Sequence, residues 1–312
     1  MSTEKELTKI DVAINVYGKP WQTLVALKSM LKVSSDYIDK IYLIEENKQP
    51  YNEDISWIID KLNYDKLVCF KPKYHLGTKK TSRFKFKWNA NYRNSVRYQH
   101  AIENTDKKFL LIIHNDVLFE TDIIKPFLEN IKDSFAIGQI GQCWNCPLFF
   151  ENICNGARYN DVDFTYNQAI EATIKYPKSR TFKFKHTIKK SNPKLMPECR
   201  INEWCCMIQM NFYREMVIPK GNVLPFGGYF KVDLADTWFC GMIENGYKPK
   251  YYNIYKNIKH GYFTNSEQIS EVNGYCLGLS THNGHSALSN EEKYRIEEEE
   301  AKQIFHSLYS DY

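Results

Sequence analysis

An α/β fold built on a doubly wound, mostly parallel sheet is predicted by three features of the chain. Short apolar runs alternate with amphipathic stretches over residues 10–140, the order expected of successive strand–helix–strand units. One run, Phe109–Ile113, is apolar at every position, which suits a strand buried on both faces. That run ends abruptly in His114, Asn115 and Asp116, so polar side chains fall at the carboxyl end of a buried strand, where open α/β sheets place their ligands.

The elements follow in order. Ile10–Val16 reads as the first strand, and Pro20 opens a helix through Lys32, with Leu24, Leu27, Met30 and Leu31 at helical spacing. A second strand, Lys40–Ile44, ends in Glu45 and Glu46; a short helix over Asp54–Leu62 and a third strand over Lys66–Phe70 come next. A basic loop around Gly77 leads to a helix over Trp88–Glu103 and so to Phe109–Ile113. A helix over Thr121–Lys132 and a strand over Phe135–Ile140 complete the first half. Residues 143–199 are rich in Asn, Tyr and Lys with weak periodicity, and are expected to form loops and short elements. Order returns with a strand over Trp204–Met210 and a short helix. Leu234, Trp238, Met242 and Ile243 share a helical stripe over 236–245, with Gly246 as the terminator. A strand over Tyr251–Tyr255 precedes His260, and residues 290–312 form a last helix whose acidic run, Glu297–Glu300, is assigned to solvent. The organisation expected is a first half over 1–142, a second half of the same domain over 143–265 with the loop-rich insertion at 143–199, and an extension over 266–312.

Bulk properties narrow the class. A chain of 312 residues with 43% hydrophobic and 25% charged residues is that of a globular protein with a sizeable core. No apolar run approaches the roughly 18 residues of a membrane span. The start, MSTEKELTKIDV, has no apolar leader, so a cytoplasmic protein is expected. Nine cysteines then read as reduced thiols. Cys143 and Cys146 form a CxxC, with Cys154, Cys199, Cys205 and Cys206 further on. Only one pair has clean zinc-site spacing, which weighs against structural zinc.

The net charge of +5 is modest, but its distribution is uneven. Neither 66–102 nor 172–197 contains an Asp or Glu, and both interleave Lys and Arg with aromatic residues. Cations can meet phosphates while rings stack on bases, so residues 71–87 and 175–194 are candidate contacts for a polyanion, DNA among them. The competing reading is a pair of solvated loops with excess Lys.

Taken together these pieces resemble the inverting GT-A glycosyltransferases of family 2, over residues 10–142 and 200–262. The stretches that carry the resemblance are IDVAINVYGKP, NYRNSVRYQHA, HND and ADTWFCGMIENGYK. It implies a GT-A-type sheet, a nucleoside diphosphate sugar donor, UDP-linked for preference, and a Mn²⁺ or Mg²⁺ ion. It implies donor contacts from Asn15, Val16, Tyr17, Glu45, Arg93, Asn94, His114 and Asn115, with Lys79 and Arg83 neutralising phosphate. Metal ligation falls to Asp116, with His114 and His260 as further ligands; Glu203 and Trp204 border the acceptor; Asp236 is the catalytic base, with Asp233 in reserve. Departures are plain: HND stands where the family has DxD, and Ala235–Asp236 replaces an acidic pair. The chemistry agrees with the mapping, because a departing diphosphate needs a cation and inversion needs one base on the opposite face.

The acceptor expected is a hydroxyl of a surface glycan or lipid-linked glycan. The alternative is a modified base of phage-type DNA, similar to hydroxymethylcytosine. A non-catalytic nucleotide- or nucleic-acid-binding module is a rival from another class. A nucleotidyltransferase would need a Gly-rich loop after strand one, and VYGKPW has only Gly18.

Overall fold

The computed structural model describes residues 7–77, 79–261, 269–272, 275–278 and 290–309. Thr78 within the first basic run, and the remaining parts of the extension expected over 266–312, lie outside the described residues.

Strand β1 (Ile10–Val16) is followed by α1 (Pro20–Ser34), β2 (Ile38–Glu45), α2 (Trp57–Leu62) and β3 (Leu67–Phe70). Three short helices, α3 (Arg83–Trp88), α4 (Ala90–Asn94) and α5 (Gln99–Asn104), lead into β4 (Phe109–Ile113). Then come β5 (Val117–Phe119), α6 (Ile124–Ile131) and β6 (Ala136–Ile140). Residues 143–199 hold α7 (Pro147–Phe150), α8 (Tyr166–Lys175) and α9 (Arg180–Lys183). The chain continues with β7 (Ile201–Gln209), α10 (Met210–Met216), α11 (Asp236–Glu244), β8 (Lys250–Tyr251) and β9 (Ile258–His260). A hairpin, β10 (Ile269–Val272) and β11 (Tyr275–Gly278), precedes α12 (Asn290–Leu308).

Seven strands form one sheet in the order β3-β2-β1-β4-β7-β6-β8. Strand β7 runs antiparallel to β4 and β6, while the pairings β1–β2, β2–β3, β1–β4 and β6–β8 are parallel. The doubly wound, mostly parallel sheet expected from the sequence is therefore the one observed, and strands from both sides of residue 142 share it. The chain leaves β1 toward β2 and β3 on one side and returns to lay β4 on the other. Strand order thus reverses between β1 and β4, and their carboxyl ends are where open α/β sheets place ligands.

Both faces of the sheet are covered, which explains why Phe109–Ile113 is apolar throughout. Leu110 and Ile112 pack on one face with Ile208, Trp238 and Phe239. Leu111 and Ile113 pack on the other with Leu24, Leu27 and Phe127. Each fully buried Leu or Ile contributes about 1.5–3 kcal/mol.

Three expectations are corrected. The helix read over Trp88–Glu103 is broken, because Asn89 accepts from the Tyr92 amide at 2.9 Å and Ser95 donates to the Asn91 carbonyl at 2.7 Å. Such side chains compete with the helical ladder. Tyr98 then takes a left-handed conformation, φ +63°. The strand read over Tyr251–Tyr255 stops at Tyr251, since Asn253 accepts from the Tyr255 amide and turns the chain before β9. Finally, Glu298 in the acidic run is not solvated: it is 7% exposed and accepts from the Trp21 and Gln22 amides, at 2.8 and 3.4 Å. Lys19, which precedes α1, has no capping side chain of its own. The orphan amides of α1 are therefore satisfied from α12.

Candidate active site

The carboxyl ends of β1 and β4 gather the polar residues. Strand β4 delivers His114 and Asp116, and the β5–β9 ribbon brings back His260, with Val117 opposite His260 and the Gly261 amide donating to the Asp116 carbonyl at 2.9 Å. The Asp116 Oδ1 lies 3.6 Å from His114 Nδ1 and 3.4 Å from His260 Nε2. Ligand atoms of these three residues all lie within 4.8 Å of one another. Oδ1 is buried and has no hydrogen-bond partner, while Oδ2 is bound to Lys19 Nζ at 3.0 Å. Burial pushes the Asp116 carboxyl upward, but Lys19, His260 and His114 outweigh it and hold the group well below the usual carboxylate range. Two imidazoles and one carboxylate oxygen fit a divalent transition ion such as Mn²⁺ better than Mg²⁺, which prefers oxygen ligands throughout.

Trp204 is 8% exposed and stacks on His260, ring centroids 4.1 Å apart at 15°, with Trp144 stacked on it in turn at 5.3 Å. Its ring fixes the imidazole. Glu203, from the same strand, brings Oε1 to 3.9 Å from His114 Nε2. Arg200 Nε is 3.5 Å from Glu203 Oε2, and Arg200 Nη2 is 3.0 Å from Asp233 Oδ2. Arg180 binds the same Asp233 oxygen at 2.9 Å and also clasps Glu198. Contacts of 3.4–3.9 Å therefore run from His260 through Asp116, His114 and Glu203 to Arg200, which pairs with Asp233. Burial raises the Asp233 carboxyl and the two guanidiniums pull it down; the net shift is downward.

Asp236 is used differently. Its Oδ2 accepts from the Val232 amide at 2.8 Å and the Asp233 amide at 3.4 Å, and its Oδ1 accepts from the amide and hydroxyl of Thr237. It organises the turn entering α11. Of the two aspartates read as base and reserve, Asp233 is the one held by ion pairs, to Arg180 and Arg200.

A second cluster lies beyond β2. Asn15 donates to Glu46 at 3.2 Å, His75 Nδ1 is 3.2 Å from the other Glu46 oxygen, and Arg97 Nε is 3.6 Å from Glu46. Tyr17, 43% exposed, stacks on His75 at 5.7 Å. Val16 is buried and its carbonyl accepts from the Glu46 amide, and Asn115 donates to the Gly18 carbonyl.

Other expected donor contacts engage elsewhere. Glu45 pairs with Lys71 and Arg93 with Glu103. Asn94 keeps a buried Oδ1 without a partner. Lys79 and Arg83 are exposed, and among the described residues neither pairs with a carboxylate. Sequence reasoning missed Lys19, Glu46, His75, Arg97, Arg180 and Arg200. Glu46 was findable, since side chains alternate along a strand and a Glu-Glu pair at its end must send one inward. Nothing local distinguishes Arg180 or Arg200.

No protein-family model matches the chain, and no curated protein matches it. Solved structures similar to it include a mannosyltransferase from Pyrobaculum calidifontis in complex with GDP-Man and Mn²⁺, at 10% identity and TM-score 0.46, covering 96% of this chain and 65% of that one. The galactosyltransferase LgtC in complex with donor and acceptor sugar analogues matches at 13% identity and TM-score 0.43, covering 92% and 82%. S. aureus TarS 1–349 matches at 14% identity and TM-score 0.31 over 43% of this chain, which spans about a third (36%) of that protein.

Proposed function

We propose that the chain is a glycosyltransferase that moves a hexosyl or pentosyl group from a nucleoside diphosphate sugar, UDP-linked for preference, to an acceptor hydroxyl with inversion. The observation that carries this reading is the His114–Asp116–His260 group, with its partnerless buried carboxylate oxygen, at the point where strand order reverses. Asp116, His114 and His260 would hold a divalent ion, which when bound supplies positive charge for the departing diphosphate.

The chain's own residues do the rest. Asn15, Glu46 and the Tyr17–His75 stack form a polar and aromatic pocket suited to a ribose and base. Lys19 adds a second cation beside Asp116, and His114 is held by Glu203. The acceptor hydroxyl attacks the anomeric carbon as its bond to the diphosphate oxygen breaks, and the hydroxyl proton passes to a carboxylate. Asp233, oriented by Arg180 and Arg200, is our assignment for that base, with Asp236 shaping the turn behind it. A glycan hydroxyl is the acceptor we favour. The exposed cations of 79–87 support a polyanionic acceptor as the second reading.

Thermal unfolding with a panel of UDP- and GDP-sugars, with and without Mn²⁺, tests this. A matching donor raises the midpoint with Mn²⁺ present, and Asp116→Asn removes the Mn²⁺-dependent part. Should no nucleotide sugar shift the wild-type midpoint, and none be hydrolysed, the proposal fails and a binding role for another ligand replaces it.

A further inference from the structure

We infer that Cys143, Cys146, Cys154 and Cys199 form a four-thiolate structural zinc site, separate from the His114 group and independent of the proposed chemistry. All four line one cavity of about 20 Å³, room for a single small ion or water. The rest of its wall mixes apolar side chains, Ile140, Leu148 and Met196, with Gln142, Asn155, Tyr159 and Glu198. The carboxylate on it, Glu198, is already clasped by Arg180. A soft cation there meets four sulfurs.

Local structure fits a metal knuckle. The Cys146 amide closes a turn on the Cys143 carbonyl at 2.9 Å, so the CxxC presents both thiols to one side. At Cys143 and Cys146 burial raises the thiols, and the backbone amides of Gly156 and Leu148 offset only part of that rise. Gly156 lets the Cys154 segment lie against the end of β6; a Cβ there would stand 1.9 Å from the Ile140 carbonyl oxygen. As neutral thiols the groups are poorly served: Cys143 reaches the Ile140 carbonyl only at 3.9 Å, and Cys154 the Asn155 carbonyl at 3.7 Å. Burial pushes all four thiols above their ordinary range, which a cation reverses by displacing their protons. No three of the four sulfurs lie within 4.8 Å of one another, so an ion is held only once the thiols turn inward to the tetrahedral spacing of a zinc site.

The sequence weighs against such a site because its second pair is not a CxxC: α8 and α9 intervene between Cys154 and Cys199. Four protein ligands and no open position make a structural site. The ion would staple residues 143–156 to Cys199, just ahead of β7, flanked by Glu198 and Arg200 of the Asp233 network.

Metal content of the reduced full chain tests this. Asp116→Asn, purified with zinc and dialysed against EDTA, retains one equivalent of Zn²⁺ by elemental mass spectrometry. Cys146→Ser/Cys199→Ser loses that equivalent, and Cys69→Ser, at an exposed thiol, keeps it. Cobalt substitution gives sulfur-to-metal charge-transfer absorption. If the cysteine variant fails to fold, titrating folded wild-type protein with p-hydroxymercuribenzoate replaces it: zinc release must track modification of these four thiols. Absence of bound zinc in the reduced chain, retention by the double variant, or a disulfide between any two of the four overturns the inference.

Discussion

The two acid-free basic runs, alike in composition, use their charge in opposite ways. In 175–194, acids from elsewhere in the chain meet four of the eight cations, while Lys178, Lys183, Lys185 and Lys190 stay exposed. Lys175 pairs with Glu151, Lys189 with Glu244, Lys194 with Asp163, and Arg180 with Glu198 and Asp233. In 71–87, Lys71 is the one lysine or arginine that finds a carboxylate among the described residues, Glu45. Lys85 and Lys87 lie over the rings of Tyr92 and Trp88, while Lys79, Lys80 and Arg83 are exposed. Phe84 and Trp88 are 73% and 68% exposed on the same short helix, anchored by fully buried Phe86. A run of Lys and aromatic residues therefore says nothing of its use until the fold shows which acids it meets. One run is tied into the protein through half of its cations; the other, with one paired cation, presents a cationic, aromatic surface outward.

The comparison is broken most directly at the carboxylate that Arg180 holds. Asp233→Asn should lower turnover of the folded fraction about 10²–10⁴-fold, the usual range for loss of a general base. It should lower the unfolding midpoint too, because Arg200, 1% exposed at its side chain, loses its charged partner. Asp236→Asn should lower the midpoint, since four donors lose an ionised acceptor, and leave turnover of the folded fraction within a few-fold. Steady-state rates beside thermal unfolding separate the two. Reversal of the pattern returns the base to Asp236 and reduces the Arg180 network to a scaffold.

Arg180→Ala is next in size. Glu198 is 1% exposed at its side chain, and stripping its guanidinium partner leaves a buried charge uncompensated, a change that costs about 3–5 kcal/mol. Urea unfolding reads it. The matching change in the other run, Arg83→Ala, should leave the midpoint where it was. Equal losses from the two would show that the first run is also structural.

A smaller effect appears in binding. Replacing Lys79, Lys80 and Arg83 with Gln should weaken retention on heparin or DNA and flatten its salt dependence, by about 0.9 in log–log slope for each duplex phosphate no longer neutralised. Replacing Lys175, Lys189 and Lys194 should change neither, because those charges already face carboxylates. Identical behaviour of the two triple variants would erase the distinction between the runs.

How much of this could be read from the sequence follows from the range of the interactions involved. The sheet was legible because burial on two faces demands apolar runs, and Phe109–Ile113 reports that demand locally. Asp116 and His260 were legible because each lies at a strand end. The broken helix after Trp88 was not, since side-chain competition by Asn89 and Ser95 outweighed an apparently helical stretch. Helix α8 carries a local signal that went unread, the Thr165–Gln168 capping box. Lys19, Arg180 and Arg200 owe their importance to partners far away in the chain, which no local pattern records.

The acidic run sharpens the same lesson at the other sign of charge. Glu297–Glu300 looks like a solvated face, yet Glu298 is buried against the start of α1, beside Lys19. Burial raises its carboxyl from 4.5 to about 7, against the opposing pull of the Trp21 and Gln22 amides and of Lys19. The folded state then holds this proton more tightly than the unfolded chain does. Its contribution to stability is complete below pH 4.5 and is lost as pH rises through about 7. Wild-type protein should lose stability between these limits more steeply than Glu298→Gln, which keeps an acceptor for the α1 amides but cannot ionise. Unfolding midpoints of the two proteins measured across that window give the difference directly, with all other titrating groups in common. Parallel curves would mean that Glu298 ionises as freely as its neighbours, and that the charge of the run is solvated after all.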